Sequence, residues 1–76
     1  MPTFLYTVDD ESQSTTAHEL TPTQILNNAG IDPATHYLVQ LEGNHRESYQ
    51  NRADATIHMH QHMKFISISI GPTPVS

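Results

Sequence analysis

Residues 20–30 read LTPTQILNNAG, and each position has a place in one short helix. Thr21 suits the N-cap, Pro22 the first helical position, and Gln24 completes a Thr-x-x-Gln capping box that satisfies two orphan amide groups reciprocally. Leu20 before the cap and Ile25 at the fourth helical position have the spacing of a hydrophobic staple. Ile25, Leu26 and Ala29 make one apolar stripe, and Gly30 is placed to end the helix. A helix this short cannot stand alone. It has to lie on something, and the flanking sequence supplies strands.

Upstream, TFLYTV (3–8) alternates with Phe4, Tyr6 and Val8 on one face, the pattern of a half-buried strand. Asp9, Asp10 and Glu11 read as a solvated turn, and SQSTTAHEL (12–20) returns as a weaker second strand, giving an N-terminal hairpin. Downstream, Asp32-Pro33 marks a turn. YLVQL (37–41), the turn Glu42-Gly43-Asn44 and RESYQ (46–50) then form a second hairpin. Residues 51–63 carry few apolar anchors and read as an irregular crossing with one helical turn, with Met59 and Met63 packed at the sheet's edge. KFISISI (64–70) alternates Ile66, Ile68 and Ile70 against Ser67 and Ser69, the strongest strand pattern in the chain. Gly71 ends it, and PTPVS follows without an apolar pattern. The expected fold is α+β: a mixed sheet of four or five strands with one helix across one face, where the apolar stripes meet. Residues 1–71 form the domain and 72–76 a flexible tail.

Composition bounds the chemistry. A chain of 76 residues holds a single core. With no cysteine it has no disulfide, no thiolate ligand and no thiol nucleophile, and nothing in it points outside the cytoplasm. MPTFLYTVDD lacks the features of a secretory signal, and no stretch approaches the ~20 apolar residues that span a bilayer. Eight acids against Arg46, Arg52 and Lys64 give a formal charge of −5, which disfavours nucleic acid as a partner. No nucleophile elbow or matched Ser, His and Asp spacing is present, so no intrinsic catalysis is expected. His58, His60 and His62 share a face if IHMHQH is extended, the one metal-like pattern. Solvated loop histidines are the more economical reading, so no metal and no cofactor are expected.

The order strand, strand, helix, strand, short strand, crossing, strand is that of the β-grasp. YTVDDESQSTT, LTPTQILNNAGIDPATHYLVQLEG, IHMHQHMKF and the closing SIGPTPVS, with LxPxxILxxAGxDP the most specific part, resemble the bacterial multiubiquitin-type family of ubiquitin-like domains. The resemblance covers nearly the whole chain. It implies a ubiquitin-like β-grasp modifier of a bacterial ubiquitination-like (Bub) operon, a setting linked to antiphage defence. Its implied partners are an E1-like activating enzyme, an E2-like carrier, a processing or deconjugating protease, and protein targets. Two departures stand out. Ubiquitin-like modifiers end in Gly-Gly, whereas this chain has Gly71 followed by Pro72, Thr73, Pro74, Val75 and Ser76. Aligning Gly43 with ubiquitin's hairpin glycine also places Gln40 where ubiquitin has the aliphatic centre of its partner-binding patch.

An activating enzyme threads a slim, extended terminus into a channel where the carboxylate attacks ATP. Glycine suits the reacting end because its backbone approaches a surface closely. Gly71 is thus the expected point of conjugation, with Gly71-Pro72 the bond that a protease cuts to remove the tail. Gly-Pro is an awkward bond for many proteases, and the simpler reading is that Gly71 only ends a strand. Ser69 and Ile70 lead into that tail, and Leu38 and Gln40 mark the strand expected to face a partner; Lys64, the sole lysine, reads first as a surface charge, and any chains would form through it or the N-terminus. A non-covalent binding module and a sulfur carrier of the same fold stand as alternatives.

Overall fold

The computed structural model describes residues 2–70, and helix α1 spans Pro22–Asn28 in it. The capping box is complete. The Thr21 hydroxyl accepts from the Gln24 amide at 3.2 Å, and the Gln24 side chain accepts from the Thr21 amide at 2.9 Å. Ala29 is the C-cap, and Gly30 follows at φ 77, the left-handed conformation glycine adopts without a Cβ penalty. Ile25 and Leu26 are buried, so the helix has one apolar face and one place to put it.

Strands β1 (Phe4–Val8) and β2 (Glu11–Thr15) form the first hairpin, closed by Asp9-Asp10 with φ of 52 and 69. Two left-handed residues in a two-residue loop make a type I′ turn, which matches the twist of the strands; aspartate tolerates that conformation better than most residues. After Thr15 the expected long second strand breaks, because the Thr15 hydroxyl accepts from the Ala17 amide at 3.1 Å and turns the chain. The remainder, β3 (Glu19–Leu20), joins a separate two-stranded sheet with β6 (Ile57–His58).

β4 (His36–Glu42) and β5 (His45–Ser48) form the second hairpin as expected, with Gly43 at φ 59 at the first loop position. The last strand, β7 (Met63–Ser69), takes the centre of a five-stranded mixed sheet ordered β2-β1-β7-β4-β5. It runs parallel to β1 and antiparallel to β4. The molecule is thus α+β, with a mixed sheet and one helix.

The crossing between β5 and β7 differs from its sequence reading. No helical turn forms there. Arg52 donates its amide to the Tyr49 carbonyl and Ala55 to that of Arg52, giving successive turns ahead of β6. The segment is also well anchored: Ile57, Met59 and Met63 are buried in the core cluster with Tyr6, Val8, Leu20, Ile25, Leu26, Leu38 and Phe65. The two methionines fill the core instead of lying at the sheet's edge, as unbranched, polarizable side chains can. Tyr6 and Phe65 meet edge to face at 5.9 Å between ring centres, an arrangement favoured by the ring quadrupoles.

Candidate functional site: the open face of the sheet

Side chains alternate across a strand, and the registers assign each one to a face. On β7, Met63 and Phe65 point into the core under α1. Lys64, Ile66 and Ile68 therefore point the other way, whereas Ile70, beyond the strand's end, lines a cleft with Pro22 and Leu26 of the helix. The isoleucine stripe, expected beneath the helix, lies on the face the helix leaves open. Phe65 decides this, since its ring is buried against Tyr6 in the cluster that holds Ile25 and Leu26 of the helix, and one residue's parity sets the whole strand.

The neighbouring strands extend that face. Val39 lies opposite Ile66, and Tyr37 opposite Ile68. Val39 is only 6% exposed yet is absent from the core cluster, so its own neighbours on the open face cover it. Tyr37, Leu41, Ile66 and Ile68 are half-buried. Leu5 and Ile70, at 51% each, are the exposed large hydrophobic residues among those described.

One rung crosses the sheet as Arg46, Leu41, Lys64, Thr7 and Ser12. Neighbouring strands lie ~4.8 Å apart, so the backbones carrying Arg46 and Lys64 stand about 10 Å apart and straddle Leu41. The acids of the five strands take the opposite parity: Glu11 pairs with Val8, Glu42 with His45, and Glu47 with Gln40. Every charged strand residue on the open face is thus a cation, on a chain of formal charge −5. The third cation, Arg52, is engaged elsewhere: its guanidinium donates to Glu47 at 2.6 Å and to the Ser48 carbonyl at 2.5 Å. That guanidinium, and the hydrogen bond from His45, hold the Glu47 carboxyl below its ordinary pKa.

The residues singled out from sequence separate into groups. Leu38 is fully buried under the helix and faces no partner; Tyr49 N–H bonds its carbonyl. Gln40 shares Leu38's face. Its Oε1 accepts from the Tyr49 hydroxyl at 3.5 Å, and the open-face positions beside it are Val39 and Leu41. Gln40 therefore does not lie on the open face. Lys64 is exposed on the open face. Ser69 ends β7 opposite His36, and the Ile70 amide donates to the Thr35 carbonyl at 2.8 Å, so that strand is held to its last described residue. Gly71 and Pro72 lie outside the described residues.

The histidines do not converge. His58 faces Glu19 at 3.4 Å across the small sheet, whereas His60 and His62 line a cleft of about 540 Å³ beside Leu41 and Lys64. His62 has a φ of 64, which breaks the extended conformation that a shared face requires. Among the described residues no three His, Cys, Asp or Glu side chains group as metal ligands.

Asp9 is not simply solvated. Its carboxylate accepts from the Ser67 amide at 2.8 Å and hydroxyl at 2.6 Å, and its own amide donates to the Phe65 carbonyl. This ties the first turn to the central strand. The open-face residues Val39, Leu41 and Arg46 were missed because YLVQL is apolar on both faces. Such a run signals a strand covered on both sides, which was the available clue. No helix among the described residues is long and apolar enough to cross a membrane. No family model, curated protein or solved structure matches the chain.

Proposed function

We propose that the chain is a ubiquitin-like β-grasp protein that works as a modifier. An E1-like enzyme activates it, an E2-like carrier takes it on, and it is conjugated through Gly71 after a protease removes Pro72 to Ser76. The observation that carries this reading is the strand order. Two hairpins flank a helix, and the last strand inserts between them, parallel to the first, in the order β2-β1-β7-β4-β5. That arrangement supports the β-grasp assignment, and in the sequence it brings Gly71 one residue beyond a strand end tied at Ile70. The modifier has no chemistry of its own; the enzymes that handle its terminus supply it.

The test is expression of the N-terminally tagged full chain with the activating, carrier and protease genes of a Bub operon. Expected are adducts that survive denaturation and a mature intact mass ending at Gly71, both lost in a variant ending at Ile70. A chain that keeps Ser76 and forms no adduct overturns the reading.

A second reading, a non-covalent protein-binding module, draws support from the open face. An apolar surface bearing only cations, on an acidic protein, is suited to being covered by another protein. Surface amides that move on partner binding, unaffected by truncation at Ile70, would single it out.

A further inference from the structure

We infer that residues 72–76 fold back on the chain that carries them and seat Pro74 and Val75 in the cleft between α1 and β4, beside Ile70. The cleft has a volume of about 190 Å³, and its lining includes Pro22 and Leu26 of the helix, Pro33, His36, Tyr49 and Ile70. No Asp, Glu, Lys or Arg is among its described lining residues. Its walls are held in advance. The Tyr49 hydroxyl donates to Gln40 at 3.5 Å, and the Arg52 guanidinium lies over that ring, 4.8 Å from its centre. The Ile70 amide is likewise fixed to the Thr35 carbonyl, while its side chain stays 51% exposed. Residues 2–70 thus leave an apolar cleft open with one wall half bare, and the segment that starts next to that wall is the occupant it fits.

Size decides the kind of occupant. One helical turn, about 10 Å across and 5.4 Å long, fills roughly 400 Å³, about twice the cleft's volume, so a helix does not enter. A docked domain or a second copy needs about 800 Å² from each partner, well beyond a cleft of this size. A single strand of small apolar residues does fit, and GPTPVS (71–76) supplies one with two prolines, a valine and no charged side chain. These six residues reach up to ~20 Å, ample for Pro74 and Val75, four and five positions after Ile70. Gly71 admits the backbone angles of a reversal, and Pro72 presets φ for the second position of a β-turn. Proline rings lose little freedom on docking and pack well in grooves with aromatic walls. The seat goes beyond the modifier reading and stands without it. What it adds to that reading is a latch: Gly71-Pro72 then lies between two held segments and must be released before an enzyme binds it extended.

The test compares amide spectra of the ¹⁵N-labelled full chain and of a chain ending at Gly71, with no operon enzyme present, so its outcome is independent of conjugation. Removing residues 72–76 is expected to shift the amides of Leu26, His36 and Tyr49. The full chain should also show nuclear Overhauser contacts between the Val75 methyls and the Tyr49 ring. Val75→Ser should move the same amides toward their positions in the shortened chain. Ala53→Glu is an exposed substitution that leaves the fold intact and sets a carboxylate in the cleft's wall, where an apolar occupant would strip its water. In that variant the shortening should no longer move Leu26 or Tyr49. Changes confined to residues 68–70 overturn the inference. Shifts that grow with protein concentration overturn it too, because they place the end of one chain in the cleft of another.

Discussion

Tyr6 and Asp9, three residues apart, show how the same fold treats polar groups in opposite ways. The Tyr6 ring is 2% exposed, and its hydroxyl is a buried side-chain oxygen without a hydrogen-bond partner. Burial raises the phenol's pKa above 10.0, and nearby Asn28 offsets part of the rise without meeting hydrogen-bond geometry. A buried, unpaired hydroxyl costs about 1–3 kcal/mol, so Tyr6→Phe should be neutral or stabilise by about 1 kcal/mol at pH 7. The pH dependence has a definite sign. Because the folded pKa lies above the unfolded one, the folded state holds its proton more tightly. That stability is fully present below about pH 10 and is lost as pH rises through the folded pKa. Urea unfolding at pH 7 and pH 11 should show a smaller alkaline loss in Tyr6→Phe than in the parent; an equal loss would remove Tyr6 as its source. Asp9, by contrast, satisfies both carboxylate oxygens on Ser67 while holding φ at 52. Its turn was legible in the sequence because the chemistry of two aspartates in a short loop is local. Its bond to Ser67 was not, because the partners lie 58 residues apart.

The same division between local and distant information runs through the elements. Helix α1 was readable nearly residue by residue, since its cap, staple and terminating glycine act within ten positions. The strand β7 was readable as a strand but not as to its faces. Period-two alternation gives two faces and does not say which one a helix covers. Ile66 and Ile68 look like core in sequence, but Met63 and Phe65 took the core, and the open face of the candidate site went unread with them. Substitutions on adjacent parities of this one strand test the assignment. Phe65→Ala removes a side chain that is 1% exposed and should cost about 3–5 kcal/mol. That is much of the roughly 4–10 kcal/mol expected of a domain this size. Ile68→Ser, on the half-exposed face, should cost about 1 kcal/mol. Urea midpoints in the opposite order would place the helix on the other side of the sheet.

At the scale of the whole molecule, the element that arrives last holds the rest together. Among the described residues β7 is the strand that touches both hairpins: Tyr6 to Val8 pair with Met63 to Phe65 on one side, and His36 to Leu41 with Lys64 to Ser69 on the other. The clamp beside it is equally distant in sequence. Gln61 accepts from the Leu5 amide and donates to the Thr3 carbonyl, so β1 is held in place from the far end of the chain. Neither hairpin has a stable sheet without that strand, because two-stranded ribbons are marginal in water. A chain ending at residue 62 loses Met63 and Phe65 from the core and leaves the inner edges of both β1 and β4 unpaired. It should therefore be unfolded as a whole, with a far-ultraviolet circular dichroism spectrum lacking sheet and collapsed amide dispersion. Cutting the small β3–β6 sheet at its exposed Glu19–His58 pair, by Glu19→Ala with His58→Ala, should leave both spectra native. If the chain ending at residue 62 instead keeps dispersed amide signals, the two hairpins and the helix form a core by themselves, and β7 serves only to seal it.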